Sequence, residues 1–208
     1  MRRRPGSKSV VLGAVALFLT GLATAAVAEG TVTDPVISGE KDIGLRLSEK
    51  PGAPVPEWLI QEMALRVEKT GRWIADNRPF KNADEPYDQY GVEWRRGLGQ
   101  QTLVGRLFAL REGKEVGDFW EYRLTWNPAE AKAYLEQWGR GGAYGVGELR
   151  SLGGGATECI QLFSMPGVPS WASRHRATLV SGEDRTVGED YAKGAWQPGR
   201  QYVWRLQP

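Results

Sequence analysis

The sequence predicts an all-β protein: an antiparallel up-and-down β-barrel of about ten strands, with one N-terminal amphipathic helix. Three observations carry this. Turn-forming clusters rich in Gly, Pro, Asn and Asp begin about every 12 to 16 residues from Gly97 onward, which is the rhythm of a meander of hairpins. Aromatic and β-branched runs lie between those clusters, and no later gap is long enough for a helix. Apolar side chains alternate with charged ones along the clearest runs, so each strand has one face for an interior and one for water.

Taken in order, the chain opens on Arg2, Arg3, Arg4 and Lys8, then an uncharged apolar run from Val10 to Val27, closed by Ala26-Val27-Ala28. A basic start, an apolar stretch and a small-x-small site, in that order, are those of a cleaved signal peptide over 1–28. The expected location is therefore exported, periplasmic or secreted. A retained anchor is the alternative, since spanning takes roughly 17–25 apolar residues. Residues 29–55 hold Thr31, Thr33, Pro35, Pro51 and Pro54 with little periodicity, and read as a flexible arm. Pro56 then opens a Gly- and Pro-free stretch in which Leu59, Met63 and Val67 recur at helical spacing, predicting a helix over 57–69.

The barrel domain, 56–208, follows with candidate strands at 71–76, 87–96, 101–110, 115–126, 132–138, 143–150, 156–164, 171–180, 186–192 and 200–206. Closure is preferred over a sandwich, because it removes exposed strand edges. Within 115–126 the even positions are Trp120, Tyr122, Leu124 and Trp126, while Phe119, Glu121, Arg123 and Thr125 take the other face. If the Asn127-Pro128 turn sets Trp126 opposite Lys132, then Tyr122 meets Glu136 and Trp120 meets Trp138. Gly105 is expected opposite Trp120, making room for its indole. The same alternation selects Trp73, Tyr90, Val92, Trp94, Trp171, Leu179, Tyr202, Trp204 and Leu206 for the interior. Arg106, Glu121, Arg123, Arg174 and Arg176 are placed outside. The inverted assignment, with arginines gripping a carboxylate ligand inside the barrel, is the competing one.

Three motifs in order resemble a known family. Thr70-Gly71-Arg72-Trp73 resembles the G-x-W that opens the lipocalins and other calycin-type barrels. Gly105-Arg106-Leu107-Phe108 followed by Gly117-Asp118-Phe119-Trp120-Glu121-Tyr122-Arg123, and the ending Tyr202-Val203-Trp204-Arg205, are similar to bacterial lipocalin-like domains of unknown function. The resemblance covers about 70–208 and implies a barrel with a small-molecule cavity, without a settled activity. The count of ten strands looks more like the intracellular lipid-binding and haem-binding barrels. The single Cys departs from the disulfide-bearing extracellular lipocalins.

Composition narrows the chemistry. One Cys permits no intrachain disulfide, and one His with one Cys excludes the usual zinc sites. Residues 1–28 contain four basic residues and no acidic one, so the remainder carries 23 basic against 25 acidic residues, a net charge of −2. A nucleic-acid partner loses its electrostatic basis. The glycines of 139–147 lack a Lys-Ser/Thr ending and precede a strand, so they read as hairpin and bend glycines rather than a phosphate loop.

His175 shares the inner face of its strand with Trp171, Ser173 and Leu179. It is first a core or rim residue, and otherwise a haem ligand or proton carrier. Glu136 on the inner face would have to be paired or protonated, or else a register slip turns it outward; Glu148 shares that ambiguity. The expected ligand-binding set is Trp73, Trp94, Trp120, Tyr122, Glu136, Trp138, His175, Tyr202 and Trp204. Its expected partner is a small hydrophobic or amphipathic molecule. No resident cofactor or metal is expected, haem through His175 being the exception, and no stable membrane insertion after signal cleavage. An enzyme using His175 or Glu136 in the same cavity, and a solid barrel that binds nothing, are the alternatives.

Overall fold

The computed structural model describes residues 51–99 and 101–208, so the signal-peptide reading and most of the arm lie outside the described residues. A helix, α1 (Glu57–Arg66), precedes ten strands: β1 (Arg72–Asp76), β2 (Gln89–Arg96), β3 (Thr102–Arg111), β4 (Lys114–Asn127), β5 (Lys132–Gly139), β6 (Ala143–Gly153), β7 (Ala156–Met165), β8 (Val168–Val180), β9 (Glu183–Ala192) and β10 (Ala195–Leu206). Each strand pairs antiparallel with its neighbours in sequence, and β1 pairs with β10 through Trp73–Leu206 and Ile74–Arg205. The sheet is therefore a closed up-and-down barrel with no free edge.

Every strand runs opposite to the one before it, so the loops divide between two ends. The end from which β1 starts carries α1. Leu59 and Met63, buried on one face of that helix, join the barrel core. The Trp73 indole donates to the Arg66 carbonyl at 2.9 Å, which holds the helix terminus over the barrel end. The helix is shorter than the 57–69 expected from periodicity. Lys69 and Gly71 have φ of 51° and 64°, because the chain must turn sharply to enter β1. The last residues of the proline-rich arm are tied down: the Ala53 N–H donates to the Pro128 carbonyl at 2.8 Å, and the Trp126 indole donates to the Ala53 carbonyl at 2.9 Å.

The strand faces follow the expected alternation with two departures. Asn127 pairs with Lys132, so Trp126 faces Ala133, Tyr122 faces Gln137 and Trp120 faces Gly139. The hairpin closes one residue away from the expected register because the Asn127 side chain accepts from the N–H groups of Ala129 (3.0 Å) and Glu130 (3.3 Å). That Asx turn makes a four-residue loop, and a slip of one residue turns every side chain to the other face. Ala133, Leu135 and Gln137 thus point inward; Tyr134, Glu136 and Trp138 point outward. The second departure is a β-bulge between Asp118 and Trp120 opposite Phe108 and Leu107. It turns Phe119 inward, where it is buried against Tyr87 and Tyr90.

Gly105 lies opposite Tyr122 rather than Trp120. A Cβ there would come within 2.7 Å of the Trp94 indole, so the glycine makes room for Trp94. Trp120 is accommodated by Gly139 instead.

Candidate ligand-binding cavity

The barrel interior encloses a cavity of about 290 Å³. Seven of the nine residues expected to bind ligand line it: Trp73, Trp94, Trp120, Tyr122, His175, Tyr202 and Trp204. Glu136 and Trp138 do not, because the Asn127 turn sets β5 in the other register. Glu136 accepts from the Tyr144 hydroxyl at 3.1 Å on the outer surface. Trp138 is 39% exposed and lies against Tyr144 with ring centroids 5.7 Å apart. Glu148 is outside as well, 3.2 Å from the Lys132 ammonium.

The strand arginines that the alternation placed outside lie on the outer surface. Arg106 contacts Glu93 at 2.8 Å, Glu115 at 3.0 Å and Asp118 at 2.8 Å. Arg174 holds Glu189 at 2.7 Å and Arg176 holds Glu158 at 2.9 Å. Exposed pairs of this kind contribute about 0–1 kcal/mol each. The inverted assignment, with this set inside, does not occur.

The cavity wall has two characters. One side is aromatic, built by β1, β2, β4 and β10, with the stacked pair Phe163 and Trp171 (centroids 5.2 Å apart) completing it. The other is a run of small and polar side chains on β5 and β7–β9: Gln137, Thr157, Cys159, Ser173, His175 and Asp190. Gln137 donates to the buried Gln161 at 3.2 Å, and Gln161 donates to the Leu135 carbonyl at 3.2 Å. Ser173 donates to Asp190 at 2.6 Å. Burial pushes the Cys159 thiol up to about 12, so it is an unreactive wall atom.

His175 stands between Cys159 and Gly188 on the neighbouring strands. The glycine leaves open the space beside the ring: a Cβ at Gly188 would be 3.6 Å from Cε1. Much of the imidazole surface is accessible, yet that surface is cavity wall, and the surrounding protein lowers its pKa by burial against the opposing charge of Asp190. Neither ring nitrogen has a hydrogen-bond partner among the described residues. A neutral imidazole is thus held facing the cavity with both nitrogens unused.

Two charged groups at the ends of the cavity come from positions that no expected site included. At the helix end, Arg66 reaches in from the last turn of α1. Its Nε and Nη2 donate to Glu62 at 2.9 and 2.6 Å, and Nη1 donates to Asp184 Oδ2 at 3.3 Å. At the opposite end Arg200 forms a two-pronged pair with Glu85, both contacts 2.5 Å, and Glu85 also accepts from the Tyr90 hydroxyl. Tyr202 donates to Asn77 at 2.8 Å. The loop between β1 and β2 is pinned across part of this end by that network.

Arg200 has the same parity as Tyr202 and Trp204, so its inward direction was readable in the sequence. Asp184 and Asp190 were not: β9 reads Glu-Asp-Arg-Thr-Val-Gly-Glu-Asp-Tyr-Ala and has no apolar stripe to mark its inner face. Among the described residues no group of three His, Cys, Asp or Glu side chains could hold a metal ion.

No protein-family model matches the sequence, and no curated protein matches it. The fold is similar to that in the crystal structure of Rv2717c from M. tuberculosis, with a TM-score of 0.50, 15% identity, and coverage of 74% of this chain and 100% of that one. At that identity the likeness concerns the fold alone.

Proposed function

We propose that this is a lipocalin-like binding protein that holds a small hydrophobic or amphipathic molecule inside the barrel. The observation that supports this best is the divided wall of the cavity. Trp and Tyr faces on one side offer apolar contact, while His175, on the other, presents polar atoms that no protein group satisfies. A filled core would pair those atoms or replace them with apolar ones. A ligand with an apolar body and a hydrogen-bonding group fits such a pocket. Native against denaturing mass spectrometry of the purified protein tests it, together with quenching of tryptophan fluorescence by the neutral probe 1-ethylnaphthalene. A co-purifying mass that is lost on denaturation, or saturable quenching, is the expected result. A bare chain that no probe quenches would mean a barrel that binds nothing in its interior.

Export belongs to the same proposal, with residues 1–28 removed. N-terminal sequencing of protein recovered outside the cytoplasm is expected to begin at Glu29.

A second reading rests on the unpartnered imidazole. His175 would hold haem iron through one ring nitrogen, or carry a proton for a bound substrate. Glu136 takes no part in either, since it lies on the outer surface. Titration of the protein with hemin separates these readings. Identical spectra for wild type and His175→Ala would eliminate haem ligation by this residue.

A further inference from the structure

We infer that the molecule held in the barrel is an organic cation, a protonated amine on an apolar body, and that its ammonium group lies against Asp184 at the helix end of the cavity. This rests on the cavity-binding reading above. Asp184 sits in the cavity wall with its side chain only 7% exposed, and one of its carboxylate oxygens, Oδ1, is buried without a hydrogen-bond partner among the described residues. A buried carboxylate oxygen left unpaired costs about 1–3 kcal/mol, so the arrangement is incomplete as it stands. The other oxygen takes only a 3.3 Å contact from Arg66, whose shorter bonds all go to Glu62. Two buried carboxylates thus share one guanidinium, and the cluster carries one negative charge in excess when all three are ionised.

Among the described residues, each arginine of the wall is already paired with a carboxylate. Arg200 is paired two-pronged with Glu85, and Glu189 is neutralised from outside by Arg174 and Arg176. The surroundings of His175 lower its pKa below the ordinary value, so the ring adds no positive charge to the wall at neutral pH. Asp190 adds a second carboxylate, which accepts from Ser173. A fatty acid or other carboxylate would therefore meet like charge when Asp184 and Asp190 are ionised.

The surroundings of Asp184 favour a cation for a second reason. Trp204 is its direct cross-strand neighbour, and the indole of Trp94 already lies under the Arg66 guanidinium at 5.5 Å. Aromatic faces attract positive charge, most strongly where water is excluded. The carboxyl torsion of Asp is soft, so a turn about Cβ–Cγ can present an oxygen of Asp184 to a donor in the cavity at the expense of the 3.3 Å contact with Arg66.

Three naphthalene probes of matched size decide the matter: 1-naphthylmethylammonium, neutral 1-ethylnaphthalene and 1-naphthylacetate, each titrated against tryptophan fluorescence. The wild-type protein is expected to bind the ammonium at least ten-fold more tightly than the neutral probe, with the carboxylate weakest. Asp184→Asn is expected to bring the ammonium to within two-fold of the neutral probe without weakening the neutral one. Equal affinities for ammonium and neutral probe, or a preference for the carboxylate, would overturn the inference while leaving the cavity-binding reading intact. Failure of all three to bind would overturn that reading itself. The ranking in the wild-type protein stands as a test even if Asp184→Asn does not fold.

Discussion

Gly139 lies directly across the β4–β5 ladder from Trp120, and a Cβ placed on it would come within 2.6 Å of the indole. The last residue of β5 is therefore glycine because the ring occupies the space of a side chain. Gly139→Ala should force the indole into the cavity or off its rotamer, at a cost of about 1–3 kcal/mol. Urea unfolding is expected to show a lowered midpoint with an unchanged slope. An unaltered midpoint would mean that Trp120 moves aside freely.

That contact also shows what was legible in the sequence. The alternation of Trp120, Tyr122, Leu124 and Trp126 gives the inner face of β4, and it holds because those rings have nowhere else to be buried. What alternation does not carry is register between strands, which the loop decides. Asn127 accepting from Ala129 and Glu130 moves Tyr122 from Glu136 to Gln137, and that one turn accounts for both misplaced ligand residues. Asn before Pro marked a turn but not its length. The bulge at Phe119 left no local signal, since it exists to fit β3 to β4. The charged residues of the cavity were hidden for another reason: Arg66 arrives from a helix whose docking no periodicity specifies, and β9 is polar on both faces.

The outward placement of Glu136 and Trp138 has a direct consequence for binding. Glu136→Gln and Trp138→Ala should leave the affinity for 1-ethylnaphthalene within two-fold of wild type, because neither side chain touches the cavity. Trp94→Ala, which removes part of the wall, should weaken it by ten-fold or more. A large loss with Trp138→Ala would mean that β5 pairs in the other register.

Phe108 is also on the outer surface, yet it is completely buried. Its ring lies over Gly91, where a Cβ would come within 2.1 Å, and the guanidinium groups of Arg72 and Arg106 cover it at 4.6 and 4.5 Å from the centroid. Those arginines are held in turn by Glu93 and Glu115. Phe108→Ala should destabilise the barrel by about 3–5 kcal/mol, the range for a buried aromatic. Trp138→Ala, on the same surface but partly exposed, should cost much less. Chemical denaturation of the two variants side by side checks this, and equal losses would contradict the cover that the arginines provide.

His175 is the single histidine of the chain, so its titration can be followed by NMR without assignment ambiguity. Burial lowers its pKa below the ordinary 6.5, with Asp190 opposing the shift. Its folded-state pKa being lower than its unfolded one, the unfolded chain binds the extra proton between the two values. Stability should therefore be lost as the pH falls from about 6.5 through the folded pKa, and His175→Gln should remove that part of the acid dependence. The measurement is urea unfolding of both proteins from pH 7.5 to 5, where the variant is expected to gain on the wild type as the pH drops. A histidine that titrates at or above 6.5, or two parallel stability curves, would mean that the ring is solvated rather than held against the cavity. A probe that fills the cavity should press the folded-state pKa lower still, since it displaces the water that would solvate the imidazolium.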